Sequence, residues 1–129
     1  MNGDPYNAVV RDCFARPGHA GDVSDEDAAV AFFEDQGVRI RLSAAVLREN
    51  IKALRFRAWG CPHVIAAAEA FCRHFEGRPA AELATFDTGR LMRDLAVPVE
   101  KTGRILVLED TVRSLRAAIE DRYTSQGQD

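Results

Sequence analysis

The chain has 129 residues, enough for one domain with a core that needs no staples. It carries 17 basic against 20 acidic residues, a net charge of −3, and no stretch concentrates the basic ones, which argues against a nucleic-acid footprint. No apolar run approaches the ~20 residues of a membrane span, the polar start Met1-Asn2-Gly3-Asp4-Pro5 is not a signal peptide, and three cysteines do not read as a disulfide framework, so a reducing cytoplasm is the expected compartment.

Asp4 is placed to cap a first helix, with Pro5 at the first helical position. Tyr6, Val9, Val10, Cys13 and Phe14 then form one apolar stripe at helical spacing, and Pro17-Gly18 stops it. Residues 18–27 are loop chemistry.

Three strands follow. Ala28–Phe33 is short, and Glu34-Asp35-Gln36-Gly37 is a turn signal. Val38–Leu42 and Leu54–Trp59 alternate apolar with charged residues around a second turn at Arg48-Glu49-Asn50, the pattern of an antiparallel meander with one wet face. Arg39, Arg41, Arg55 and Arg57 fall on that face, which reads as plain solvated surface or as a seat for an acidic partner. Trp59 is expected to pack in the core.

From Pro62 the period becomes helical. Ile65, Ala68, Cys72 and Phe75 share a face, and Gly77-Arg78-Pro79 ends the run. Ala80–Ala84 and Thr88–Leu95 read as short helices. The last helix, from about Gly103 to Tyr123, turns Ile105, Leu108, Val112, Leu115, Ile119 and Tyr123 to one side, ahead of a polar tail over 124–129. Strands grouped first and helices after them indicate a single α+β domain, ordered over 4–123: an N-terminal helix, a three-stranded antiparallel sheet, and three to four helices packed on it.

Among the chemistry-bearing side chains, Cys61 is the best placed. Gly60 gives a tight exit from the strand and Pro62 opens the next helix, so Cys61 is the expected N-cap. Backbone N–H groups and the positive end of the helix dipole then favour a thiolate. The alternative is an inert, half-buried structural cysteine. Cys13 and Cys72 read as core; Cys72 is eleven residues beyond Cys61 along one helix, ~16 Å away and out of disulfide reach. His63 either supports Cys61 from the first helical turn or faces solvent. His19 and His74 read as loop and helix surface.

Three collinear segments carry a resemblance. Tyr6 to Gly21 begins with Tyr, reaches Phe14, and continues into Pro17-Gly18-His19-Ala20-Gly21; Phe56-Arg57-Ala58-Trp59-Gly60-Cys61 leads into an Ala-rich helix; and Val97-Pro98-Val99-Glu100-Lys101 precedes Glu109-Asp110. In this the chain resembles the IscU/NifU-type iron–sulfur scaffold family over most of residues 6–123. The opening helix is similar to the family's, whose Pro-x-Asn-x-Gly turn has His19 here in place of Asn. The second segment is similar to the strand before Gly-Cys-Gly-Ser, and the third to Leu-Pro-Pro-Val-Lys.

The resemblance implies the SufE/NifU-like α+β fold and an assembly component rather than an enzyme. It also implies a ligand site that has lost most of its donors. The family's first ligand Cys, in a Cys-Gly-Asp turn, aligns with Phe32, with Glu34 (or Asp35) at the Asp. The second ligand is Cys61, retained, and the His-Cys pair falls on Gly103-Arg104. One thiolate cannot hold a [2Fe–2S] cluster, which takes four ligands. No cofactor is expected; weak iron, zinc or cluster binding through Cys61, with Glu34 and His63 as neighbours, is the alternative. By resemblance the partner is a cysteine desulfurase, with Cys61 as sulfur acceptor. Recognition by a dedicated Hsp70-type chaperone is doubtful, because Glu100 interrupts its apolar motif. The second function class is a non-catalytic interaction or regulatory protein reusing the scaffold fold.

Overall fold

The strand pattern folds as an antiparallel meander in a computed structural model that describes residues 6–124. The order is β1 (Ala29–Asp35), β2 (Val38–Leu47) and β3 (Asn50–Trp59), each neighbour paired with the next. Both connections are two residues long with left-handed backbone at each position: φ is 56° and 75° at Gln36 and Gly37, and 54° and 70° at Arg48 and Glu49. Such turns match the right-handed strand twist and hold the register tightly. β2 and β3 run further than their alternating stretches. Ala45 pairs with Ala53 and Val46 with Ile51, so Lys52 is an extra, bulged residue. The bulge breaks the period of two, and that lets both Ile51 and Leu54 point inward.

Helices cover one face of the sheet: α1 (Ala8–Ala15), α2 (Pro62–Phe75), α3 (Thr88–Asp94) and α4 (Thr102–Ile119). α4 lies across β1 and β2, α2 packs on β3, and α1 sits on α2. The core joins Ile40, Leu42, Leu54 and Phe56 of the sheet to Phe71 and Cys72 of α2 and Ile105, Leu108 and Leu115 of α4. Ala80–Thr85 and Val99–Lys101 are 3₁₀ turns, the first in place of the short α-helix expected there. A π-helical turn over Glu120–Thr124 continues α4, and the Tyr123 hydroxyl donates to the Asp27 carbonyl at 2.8 Å. Among the described residues no helix is long and apolar enough to cross a membrane.

Asp4, Pro5 and the end of the polar tail lie outside the described residues. The cap of α1 is Asn7, whose Oδ1 accepts from the Val10 N–H at 2.9 Å. Of the apolar stripe of α1, only Val10 and Cys13 are buried; Val9 and Phe14 are exposed. Packing chiefly on α2 covers one narrow strip of the helix.

His19 is not a surface residue of a free loop. Its ring nitrogens meet Glu69 at 2.8 Å and Glu76 at 3.0 Å, and its backbone N–H donates to Glu69 at 2.9 Å. Its carbonyl accepts from the Phe56 N–H, and Gly21 donates to the Phe56 carbonyl, so the segment after α1 docks along the outer edge of β3. Arg73 donates to the same Glu69 and to Asp12, tying α1 into the cluster. The carboxylate of Glu69, on a fully buried residue, is thus shared by several donors, as a buried charge must be. Burial works against the charge of Glu76, but the Leu54 N–H, Arg55 and His19 hold its carboxyl below the usual range.

Candidate functional site

Cys61 lies where β3 hands over to α2. It caps α2 with extended backbone (φ −76°, ψ 169°), and Pro62 opens the helix. Gly60 is needed because a Cβ there would meet the Val64 side chain at 3.1 Å. The Val64 N–H donates to the Cys61 carbonyl at 2.9 Å, and the thiol makes no capping hydrogen bond of its own. The sulfur is half-buried. Burial pushes its pKa up, but the N–H of Val64, the Arg104 guanidinium, the N–H of His63 and the charge of Lys101 together bring it below the ordinary thiol value. The other two cysteines go the opposite way. Burial raises Cys13, and raises Cys72 much further, with Glu69 and Glu76 adding to it.

The positive ring around Cys61 comes from the start of α4. Arg104 is exposed in its first turn, and Lys101 immediately precedes the helix. Lys101 Nζ is 3.4 Å from His63 Nδ1 and 5.7 Å from the Tyr6 ring centroid. His63 does not face solvent: it is 1% exposed and packs on Tyr6 with ring centroids 4.8 Å apart. Burial, then the Lys101 charge, lowers its pKa. With Lys101 donating to Nδ1, the neutral ring carries its proton on Nε2, which is buried with no partner among the described residues. Lys101 and Tyr6 were not evident as part of this cluster from sequence, although Lys101 is one of only two lysines and closes the Val-Pro-Val-Glu-Lys stretch.

The sheet register places the remaining expected positions. Phe32, Arg41 and Arg57 form one row, and Glu34, Arg39 and Trp59 the next. Two residues further, the Gln36 turn comes level with Cys61. A Cβ on Gly103 would lie 3.4 Å from Gln36 Oε1, so the tip of the β1–β2 turn meets the start of α4. Phe32 is four residues before Gln36, ~13 Å at strand rise. Its side chain stands on the open face, 51% exposed. Glu34 is on the same face, bound to Arg39 at 2.8 Å. Trp59 is also there and 50% exposed, not in the core, because the alternation that buries Leu54 and Phe56 turns it outward.

Among the described residues no three His, Cys, Asp or Glu side chains converge on a point where they could hold a metal ion. Gly103 offers no side-chain donor, Arg104 offers a cation, and Cys61 is the one thiol beside them. The donor set does not fit a [2Fe–2S] cluster.

The NifU-like N terminal domain family matches residues 5–127, nearly the whole chain. The chain belongs to this family. Its fold is shared with a NifU-like protein (N-terminal) from Brucella abortus at 15% identity and TM-score 0.59, over 92% of this chain and 91% of that one. It is shared as well with a protein assigned as an iron–sulfur cluster assembly scaffold for the SUF system from Fervidobacterium islandicum AW-1, at 16% identity and TM-score 0.63, over 88% and 96%. A hypothetical protein of known structure aligns at 18% identity and TM-score 0.63, over 82% and 95%. At these identities the likeness speaks for the fold alone. No curated protein matches the chain significantly in sequence. This chain has a thiol at the head of α2 and glycine and arginine at the head of α4.

Proposed function

We propose that the chain is an iron–sulfur cluster assembly protein of the NifU type that holds no stable cluster and accepts sulfur on Cys61 from a cysteine desulfurase. Family membership supports the process. The observation that carries the finer reading is a half-buried thiol at a helix N-terminus, flanked by Arg104 and Lys101, where among the described residues no three His, Cys, Asp or Glu side chains converge. In the transfer, the Cys61 thiolate attacks the terminal sulfur of the donor's cysteine persulfide. An S–S bond forms on Cys61, the donor S–S bond breaks, and the donor cysteine leaves as a thiolate. No external oxidant is required. Arg104 and Lys101 stabilise the anion before attack and the persulfide anion after it.

The test is incubation with a cysteine desulfurase and cysteine, followed by mass spectrometry of trapped thiols. The expected product carries added sulfur on Cys61 and none on Cys13 or Cys72, and the Cys61→Ser variant stays unlabelled. Absence of sulfur on Cys61 in a complex that does form would favour the second reading, a non-catalytic interaction protein. The donor-poor site is the observation behind that alternative.

A further inference from the structure

We propose that the open face of the sheet, at its Cys61 end, is a docking surface for an acidic segment of a partner protein. The inference concerns binding alone and stands whether or not Cys61 carries sulfur. The face pairs two exposed aromatic rings with three arginines: Phe32 shares a row with Arg41 and Arg57, and Trp59 shares the next with Arg39 and Glu34. Large rings half in water beside guanidiniums on one sheet face are the composition of an interface rather than of a plain wet face.

The arginines are also held in a particular way. Arg39 is anchored through Nε to Glu34 at 2.8 Å, and Arg41 and Arg57 through Nε to the two oxygens of Asp22 at 3.2 and 2.6 Å. Arg57 above all, then Arg41, keeps the Asp22 carboxyl below the usual range. The loop bearing Asp22 is pinned by the Val23 N–H to Ser43 Oγ at 2.9 Å. Among the described residues the terminal nitrogens of these three guanidiniums donate to nothing, so each is oriented from behind and free in front.

Three guanidiniums against two carboxylates leave a local excess of one positive charge in a chain whose net charge is −3. That is too little to neutralise a run of phosphates, which disfavours nucleic acid. It suits carboxylates, which guanidinium edges receive in pairs, with the rings giving apolar contact between them.

Trp59 is the only tryptophan, so intrinsic fluorescence reads this surface directly. The probe is an acetylated Glu-Glu-Leu-Glu-Glu-Leu peptide titrated into the full chain, with a Lys-for-Glu peptide and a thymidine oligonucleotide as comparisons. The acidic peptide is expected to change Trp59 emission saturably, with affinity lowered about tenfold or more in R41Q/R57Q. Both substitutions are at surface positions, and circular dichroism checks that the fold is kept. No response to the acidic peptide, an equal response to the basic one, or unchanged affinity in R41Q/R57Q would each overturn the proposal. Saturation by the oligonucleotide instead would make the face a nucleic-acid surface.

Discussion

Arg104, in the first turn of α4, sets its positive charge beside the Cys61 thiol at the head of α2. The same geometry that favours a thiolate works against a metal, since a bound cation would face the guanidinium at close range. Anaerobic reconstitution with iron and sulfide, followed by desalting, should therefore leave protein without visible cluster absorbance. A stoichiometric cluster surviving that step would show that donors beyond Cys61 are recruited.

His63 should make the fold sensitive to mild acid. Its pKa is lowered by burial and then by Lys101. In the unfolded chain a histidine titrates near ~6.5. Below that value the unfolded state takes up a proton that the folded state refuses, so stability falls as pH drops toward the folded pKa and levels off beneath it. Urea unfolding across this range should show a steeper loss for the native chain than for His63→Gln. Parallel curves would mean that the ring charges freely in place.

The carboxylate of Glu69 gathers His19, Arg73 and the His19 backbone N–H, and its side chain is 1% exposed. Glu69→Ala leaves Arg73 and the docked segment after α1 without their common partner. A loss of about 3 kcal/mol in unfolding free energy is expected, the lower end for breaking a buried pair because Arg73 is partly solvated. Denaturant titration measures it, and a change below ~1 kcal/mol would assign the cluster a surface role.

The sheet was readable from sequence because Val38–Leu42 and Leu54–Trp59 each bury every second residue, and the family resemblance gave the same order of elements. The ends of the strands were less so. Ser43-Ala44-Ala45-Val46 lacks alternation, and the bulge at Lys52 shifts the phase. Long-range charge pairing left no local sign: nothing near His19 points to Glu69, fifty residues on. Trp59 was misplaced for a related reason. Aromatic residues suit either face of a strand, and only the pairing register shows which way each turns. A histidine that opens a helix can support Cys61 or face solvent, and only the structure shows Tyr6 and Lys101 closing over His63. Cys61 as the cap of α2 followed from Gly60 and Pro62 alone.

The stretch before α4 bears on chaperone recognition. Val99 is 88% exposed and Glu100 is exposed beside it, in the 3₁₀ turn Val99–Lys101. The segment is accessible, but an apolar peptide channel would have to desolvate Glu100, at a cost of a few kcal/mol if it is left unpaired. A peptide spanning 95–103 should bind a dedicated Hsp70-type chaperone weakly or not at all, and Glu100→Pro should strengthen it. Tight binding of the native peptide would refute this.

The rate of Cys61 alkylation as a function of pH measures directly whether the thiol is activated. Iodoacetamide should modify Cys61 alone in the folded protein, because burial raises the pKa values of Cys13 and Cys72 and hides them. The midpoint of the rate profile should lie below the ~8.5 of a free cysteine and move upward in Arg104→Gln, with Cys61→Ser unreactive. A midpoint at or above the free value, or no reaction while the chain is folded, would make Cys61 structural and contradict the account.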